Sequence, residues 1–118
     1  MQRTHKHLYI SILLLSACGG GGGGGSPVSD INQNTAPEIT GISDYAIDEN
    51  SSDVATFQAT DAEGDNITYS ISGDDASLLS IESSSGVLSF QSSPDFDNPR
   101  DSNIDNIYQV TIVASDGQ

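Results

Sequence analysis

From residue 37 onward, apolar side chains recur at every second position in short runs separated by Gly, Ser, Asp and Asn, the pattern of half-buried β-strands. The spacing predicts six strands. The first runs from Glu38 to Ile42 and resumes, after a break at Ser43-Asp44, from Tyr45 to Asp48. The second covers Asp53 to Thr60, with Ala55, Phe57 and Ala59 on one face. Ile67 to Ile71 places Ile67, Tyr69 and Ile71 inward; Leu78 to Ile81 is a short apolar stretch; Val87 to Phe90 turns Leu88 and Phe90 inward. The last has the clearest alternation, with Tyr108, Val110, Ile112 and Ala114 interleaved by Gln109, Thr111, Val113 and Ser115. No helical period competes, so the expected class is all-β: a Greek-key β-sandwich. Six strands leave such a sandwich one short. A seventh is expected beside the last strand, and the turn signal Asp116-Gly117-Gln118 leads to the expectation that domain 37–118 is truncated before it.

The N-terminal segment has a different grammar. Arg3 and Lys6 precede an eight-residue apolar run, Leu8 to Leu15, far short of the ~20 residues a spanning helix needs. Residues 1–17 are therefore expected to be a signal peptide that is removed. The block Leu15-Ser16-Ala17-Cys18 resembles the bacterial lipobox, which implies cleavage before Cys18 and lipid attachment to its sulfur. Gly19 to Gly25 follow without interruption, and residues 18–36 read as a flexible tether with an r.m.s. reach of about 20–25 Å. Gly19 after the Cys is similar to lipoproteins of the outer membrane. Cys18 is the only cysteine, so no intramolecular disulfide forms.

Charge narrows the possible functions. The chain has 17 Asp and Glu against 3 Lys and Arg; without residues 1–17, Arg100 is the only basic residue and the formal charge is −16. Nucleic acid and anionic headgroups are excluded as direct partners, because neither can be held without clustered cations. The shortened chain has no His or Lys and no thiol beyond Cys18, so the usual nucleophile–base pairs cannot be assembled. No enzyme is expected. A carboxylate-only glycosidase would have to rest on Asp95 and Asp97, which fall on a highly charged loop. One-sided charge of this density calls for something positive among the carboxylates.

Strand direction sorts the acids into two poles. With the tether end as the top, the second strand climbs to Asp61-Ala62-Glu63-Gly64-Asp65-Asn66, and the last climbs to Asp116. Asn32 and Asn34 arrive there from the tether. The first strand descends to Glu49-Asn50, and the loop Pro94-Asp95-Phe96-Asp97, with Asp101 and Asp105 further on, lies at the same bottom pole. Carboxylates, amides and backbone carbonyls are calcium's ligands, whereas zinc prefers His and thiolate, which the chain without residues 1–17 lacks apart from Cys18. Neither acidic loop is an EF-hand: Asp61-Ala62-Glu63-Gly64 has its Gly two places early, and the run from Asp101 has Ile112 where the bidentate Glu belongs.

Taken in order, Asp30-x-Asn32-x-Asn34-Thr35-Ala36-Pro37, Glu49-Asn50, Asp61-Ala62-Glu63-Gly64-Asp65-Asn66, Asp95-Phe96-Asp97 and Val110-x-Ile112-x-Ala114-x-Asp116-Gly117 resemble a cadherin repeat. Ser85-Gly86-Val87-Leu88-Ser89-Phe90 and the long loop after it look like the bacterial branch. The resemblance implies one calcium half-site of Asn32, Asn34, Asp61, Glu63 and Asp116 at the top and another of Glu49, Asp95 and Asp97 at the bottom. It departs from the family at Gln33, Glu63 and Asp97. Affinity toward ~10⁻⁴–10⁻³ M or weaker is expected. The function implied is a calcium-binding module of a lipid-anchored surface protein, in adhesion, homophilic contacts included, or as a calcium-stiffened spacer beside neighbouring repeats. The other expectation is a metal-free immunoglobulin-like spacer, or a carbohydrate- or protein-binding module.

Overall fold

In a computed structural model of the chain, residues 6–17, 34–41 and 43–117 are described. Cys18, Asn32 and most of the tether lie outside these residues. The elements are β1 (His7–Ala17), β2 (Glu38–Thr40), β3 (Asp44–Asp48), β4 (Asp53–Thr56), β5 (Gln58–Thr60), β6 (Thr68–Ser72), a 3-10 turn (Ala76–Leu78), β7 (Leu79–Ile81), β8 (Val87–Phe90) and β9 (Ile107–Ser115). No described helix is long and apolar enough to cross a membrane.

The fold is an all-β sandwich. One layer is a four-stranded sheet in the order β3-β1-β9-β6; the other holds β4-β8-β7, with the pair β2-β5 beside it. Rings from the two layers meet edge to face: Phe90 of β8 and Tyr108 of β9 have centroids 4.9 Å apart, and Tyr45 of β3 lies 6.1 Å from Phe57. A polar tie crosses as well, where Ala59 N donates to the hydroxyl of Tyr69 at 2.8 Å. Such T-shaped pairs add about 0.5–1.5 kcal/mol to the burial of the rings themselves.

Strand boundaries follow the sequence expectations with local breaks. Thr56 and Gln58 belong to separate strands because Phe57 turns its amide to Gly86 O at 2.9 Å and buries its ring completely. That close approach requires glycine: Gly86 has φ +71°, and a Cβ there would stand 2.3 Å from Phe57 O. The expected strand from Leu78 begins one residue later, since Leu78 closes the 3-10 turn. On β9 the alternation read from the sequence holds throughout, with Tyr108, Val110, Ile112 and Ala114 all buried.

The largest departure is β1. The segment read as a removable leader is a strand of eleven residues at the centre of the larger sheet. It pairs parallel with β9 from Tyr9↔Ile107 to Ala17↔Ser115 and antiparallel with β3 from His7↔Asp48 to Ser11↔Asp44. Leu8, Ile10 and Ile12 are buried and Leu14 packs against the core, while Tyr9, Leu13 and Leu15 face outward and are at least half exposed. Residues 7–17 thus occupy the place beside β9 where a seventh strand is expected. Aliphatic residues at both parities let this run satisfy a sheet as well as a leader: the even set fills the core and the odd set lies outside.

Candidate metal centre

At the bottom pole, two turns bring three carboxylates together. Asp48 ends β3 and accepts a bond from Ser51 N at 3.1 Å, while Asn50 takes a left-handed φ of 67°. Asn, whose short polar side chain tolerates this region, suits that corner. Asn50 N then donates to Pro94 O at 2.8 Å, which fixes the Glu49 turn to the loop after β8. In that loop Asp95 Oδ1 accepts Asp97 N at 3.0 Å, an Asx turn that sets both acids on one side. The result is a cluster of Glu49, Asp95 and Asp97 whose ligand oxygens all lie within 4.8 Å of one another. Opposite ligands of a calcium ion at 2.3–2.6 Å stand about 5 Å apart, so the set fits the ion's dimensions. Asn106, just before β9, ties to the same loop. Its amide nitrogen donates to Phe96 O at 3.2 Å, and its side-chain oxygen is buried without a hydrogen-bond partner among the described residues.

A cation from the chain itself is already there. The ammonium of Lys6 bonds to Asp97 Oδ1 and stands 5.5 Å from the centroid of Phe96. Its pKa is raised, mainly by the bond to Asp97; desolvation opposes this, and the charges of Asp97, Glu49 and Asp95 raise it further. Glu49 N also bonds Lys6 O at 3.2 Å. Sequence reading assigned Lys6 only to the leader; the signal that it meets these acids is pairing of β1 with β3, which no local pattern reveals.

The top pole is gathered differently. Asp61 Oδ1 accepts the amides of Glu63 and Asp65, each at 2.9 Å, and Asp61 Oδ2 is buried with no hydrogen-bond partner among the described residues. Asn34 donates to Asp116 Oδ2 at 2.9 Å. Thr35, the next residue, gives both its amide and its hydroxyl to the Glu63 carboxylate at 3.1 and 3.0 Å. Asp61, Glu63, Asp116 and Asn34 therefore share one pole, as strand direction implies. Among the described residues, the acids whose ligand oxygens form a tight group are Glu49, Asp95 and Asp97, at the other pole.

Two acids that sequence reading left as neighbours of the bottom site, or missed, are structural. Asp101 is buried and accepts the amides of Asp105 and Asn106 at 2.7 and 3.2 Å. Asp75 is also buried; it accepts Ser102 N at 2.6 Å and Gln109 N at 2.8 Å, clamping the long loop to the start of β9. Asp105, by contrast, is exposed and receives Ile107 N and the Asn103 amide. Comparison with known proteins finds no matching family model, no matching curated protein and no matching solved structure.

Proposed function

We propose that this chain is a calcium-binding, cadherin-like module of a lipid-anchored surface protein. The observation that carries the reading is the Glu49–Asp95–Asp97 cluster, three carboxylates from two loops at the spacing of one hard cation's coordination sphere. The unpartnered oxygens of Asp61 and Asn106 support it, since a buried acceptor left without a donor costs free energy that a cation would recover. An ion at either pole would neutralise carboxylates that otherwise repel, and where a neighbouring repeat lends ligands it would stiffen the junction. Adhesion, homophilic contacts included, or spacing between neighbouring repeats is the role of such a rod. The lipobox-like Leu15-Ser16-Ala17-Cys18 supports anchoring at a bacterial membrane, and the residue after the Cys favours the outer one.

The test is a calcium titration followed by thermal unfolding and calorimetry. Stabilisation by about RT ln(1 + [Ca]/Kd) is expected once the ion exceeds Kd, and it should disappear in Asp95→Asn with Asp97→Asn. An unchanged midpoint at about 10 mM calcium, above the expected Kd, refutes the metal.

A metal-free immunoglobulin-like spacer, or a carbohydrate- or protein-binding module, is the second reading. It is favoured by the top pole, where Asn34 and Thr35 already satisfy Asp116 and Glu63 with the chain's own donors.

A further inference from the structure

Residues 1–17 carry the marks of a removable leader, yet His7–Ala17 fills the space between β3 and β9. A free slot between those two strands rests on the lipoprotein reading in one respect only, that the segment leaves. Flanking strands stand about 4.7–4.9 Å from the strand between them, so its departure opens a slot close to 10 Å wide. One wall of the slot is β9, nine residues long, with Tyr108, Val110, Ile112 and Ala114 at 4% exposure or less while β1 is in place. The other wall is β3, with Ile47 buried. A long apolar edge of this kind, with its N–H and C=O groups unpaired, is a template for another strand.

We propose that the β3–β9 slot of the processed chain is a strand-acceptor site for an extended segment of a partner protein. The strand seated there defines the partner's chemistry. It runs parallel to β9 and antiparallel to β3, with aliphatic residues at every second position to take the places of Leu8, Ile10, Ile12 and Leu14. The alternate positions are open, because Tyr9, Leu13 and Leu15 are 54%, 63% and 50% exposed. A basic residue precedes the first aliphatic one: the rim at that end is acidic, with Asp97 holding Lys6 and Asp48 holding His7 Nδ1 at 2.9 Å. Main-chain bonds along both walls give affinity, and the inward pockets and the acidic rim give selectivity.

The experiment uses the full chain carrying Ile10→Pro and Ile12→Pro, which deprives β1 of two amides and expels it from the sheet. A dye-labelled peptide of residues 6–17, with Leu13→Lys and Leu15→Lys for solubility, is titrated and followed by anisotropy. Saturable one-to-one binding is expected with the proline variant and none with the unsubstituted chain, whose own strand fills the slot. The same peptide with Ile10→Asp and Ile12→Asp should bind at least about tenfold more weakly. Where the prolines unfold the chain, the peptide must restore its β circular-dichroism signal. Absent binding or rescue, equal binding to the unsubstituted chain, or indifference to the aspartates overturns the proposal. A proline-variant dimer that excludes the peptide assigns the slot to a second copy and overturns the partner. Hydrogen exchange gives a separate check: β1 amides in the unsubstituted chain must be protected like those of β9, and rapid exchange refutes the slot. None of these readouts depends on processing, which labelled-lipid incorporation at Cys18, lost in Cys18→Ser, measures on its own.

Discussion

The ammonium of Lys6 bonds to Asp97 from ninety-one residues away in sequence, and in doing so takes up a position at a cluster of three carboxylates. A calcium ion at Glu49, Asp95 and Asp97 must displace that ammonium or share its ligands. Lys6→Gln should therefore raise calcium affinity at the bottom pole by roughly two- to fivefold, the size of an exposed ion-pair effect. Calorimetry of the full chain reads it directly. An affinity unchanged or lowered by the substitution contradicts the overlap.

Stability should fall at alkaline pH. Burial raises the pKa of Tyr108 above its usual 10.0, with a backbone bond from Arg100 acting the other way, and Asp97 raises that of Lys6 above 10.5. In both cases the folded form holds its proton more tightly than the unfolded one. Their contribution is complete below about pH 10 and is lost as pH climbs through the raised values. Urea midpoints measured from pH 8 to pH 12 should fall only above about pH 10, and Tyr108→Phe should flatten part of the fall.

Asp75→Ala should cost about 3 kcal/mol or more, since the buried carboxylate accepts two amides, Ser102 N and Gln109 N, and each such bond to a charged group carries roughly 1.5–3 kcal/mol. Denaturant unfolding gives the size. Faster exchange of the amides of Ser102 and Gln109 in the variant distinguishes loss of this clamp from general loosening.

Gly86→Ala tests a different kind of contact. The added methyl group would stand 2.3 Å from Phe57 O and would impose an unfavourable φ, so a loss of about 2 kcal/mol or more is expected. Gly64, also at positive φ but with open space around it, should lose only about 1 kcal/mol on the same change. Equal losses at the two sites would show that strain alone, without the clash, governs Gly86.

Much of the fold was legible because it is local. Period two located β8 and β9 and their inward faces, and counting strand directions was enough to put Glu49 with Asp95 and Asp97. Asp75 escaped because nothing in a turn sequence distinguishes a solvated carboxylate from one that accepts two distant amides. β1 escaped for a stronger reason: Leu8 to Leu15 is apolar at both parities, so no alternation announces a strand, and its partner β9 lies about a hundred residues downstream. Lys6 and His7 then follow β1 to the acidic pole, a meeting that exists only once the sheet has formed.

Pairing of Ser16 with Ala114 and of Ala17 with Ser115 carries a lesson about timing. Proteases act on chain that is extended and free of neighbours, and here the residues just before Cys18 are zipped into a sheet. A cut ahead of that cysteine, were one made, would have to come before the layers close, because Ser16 and Ala17 are paired once the sheet has formed.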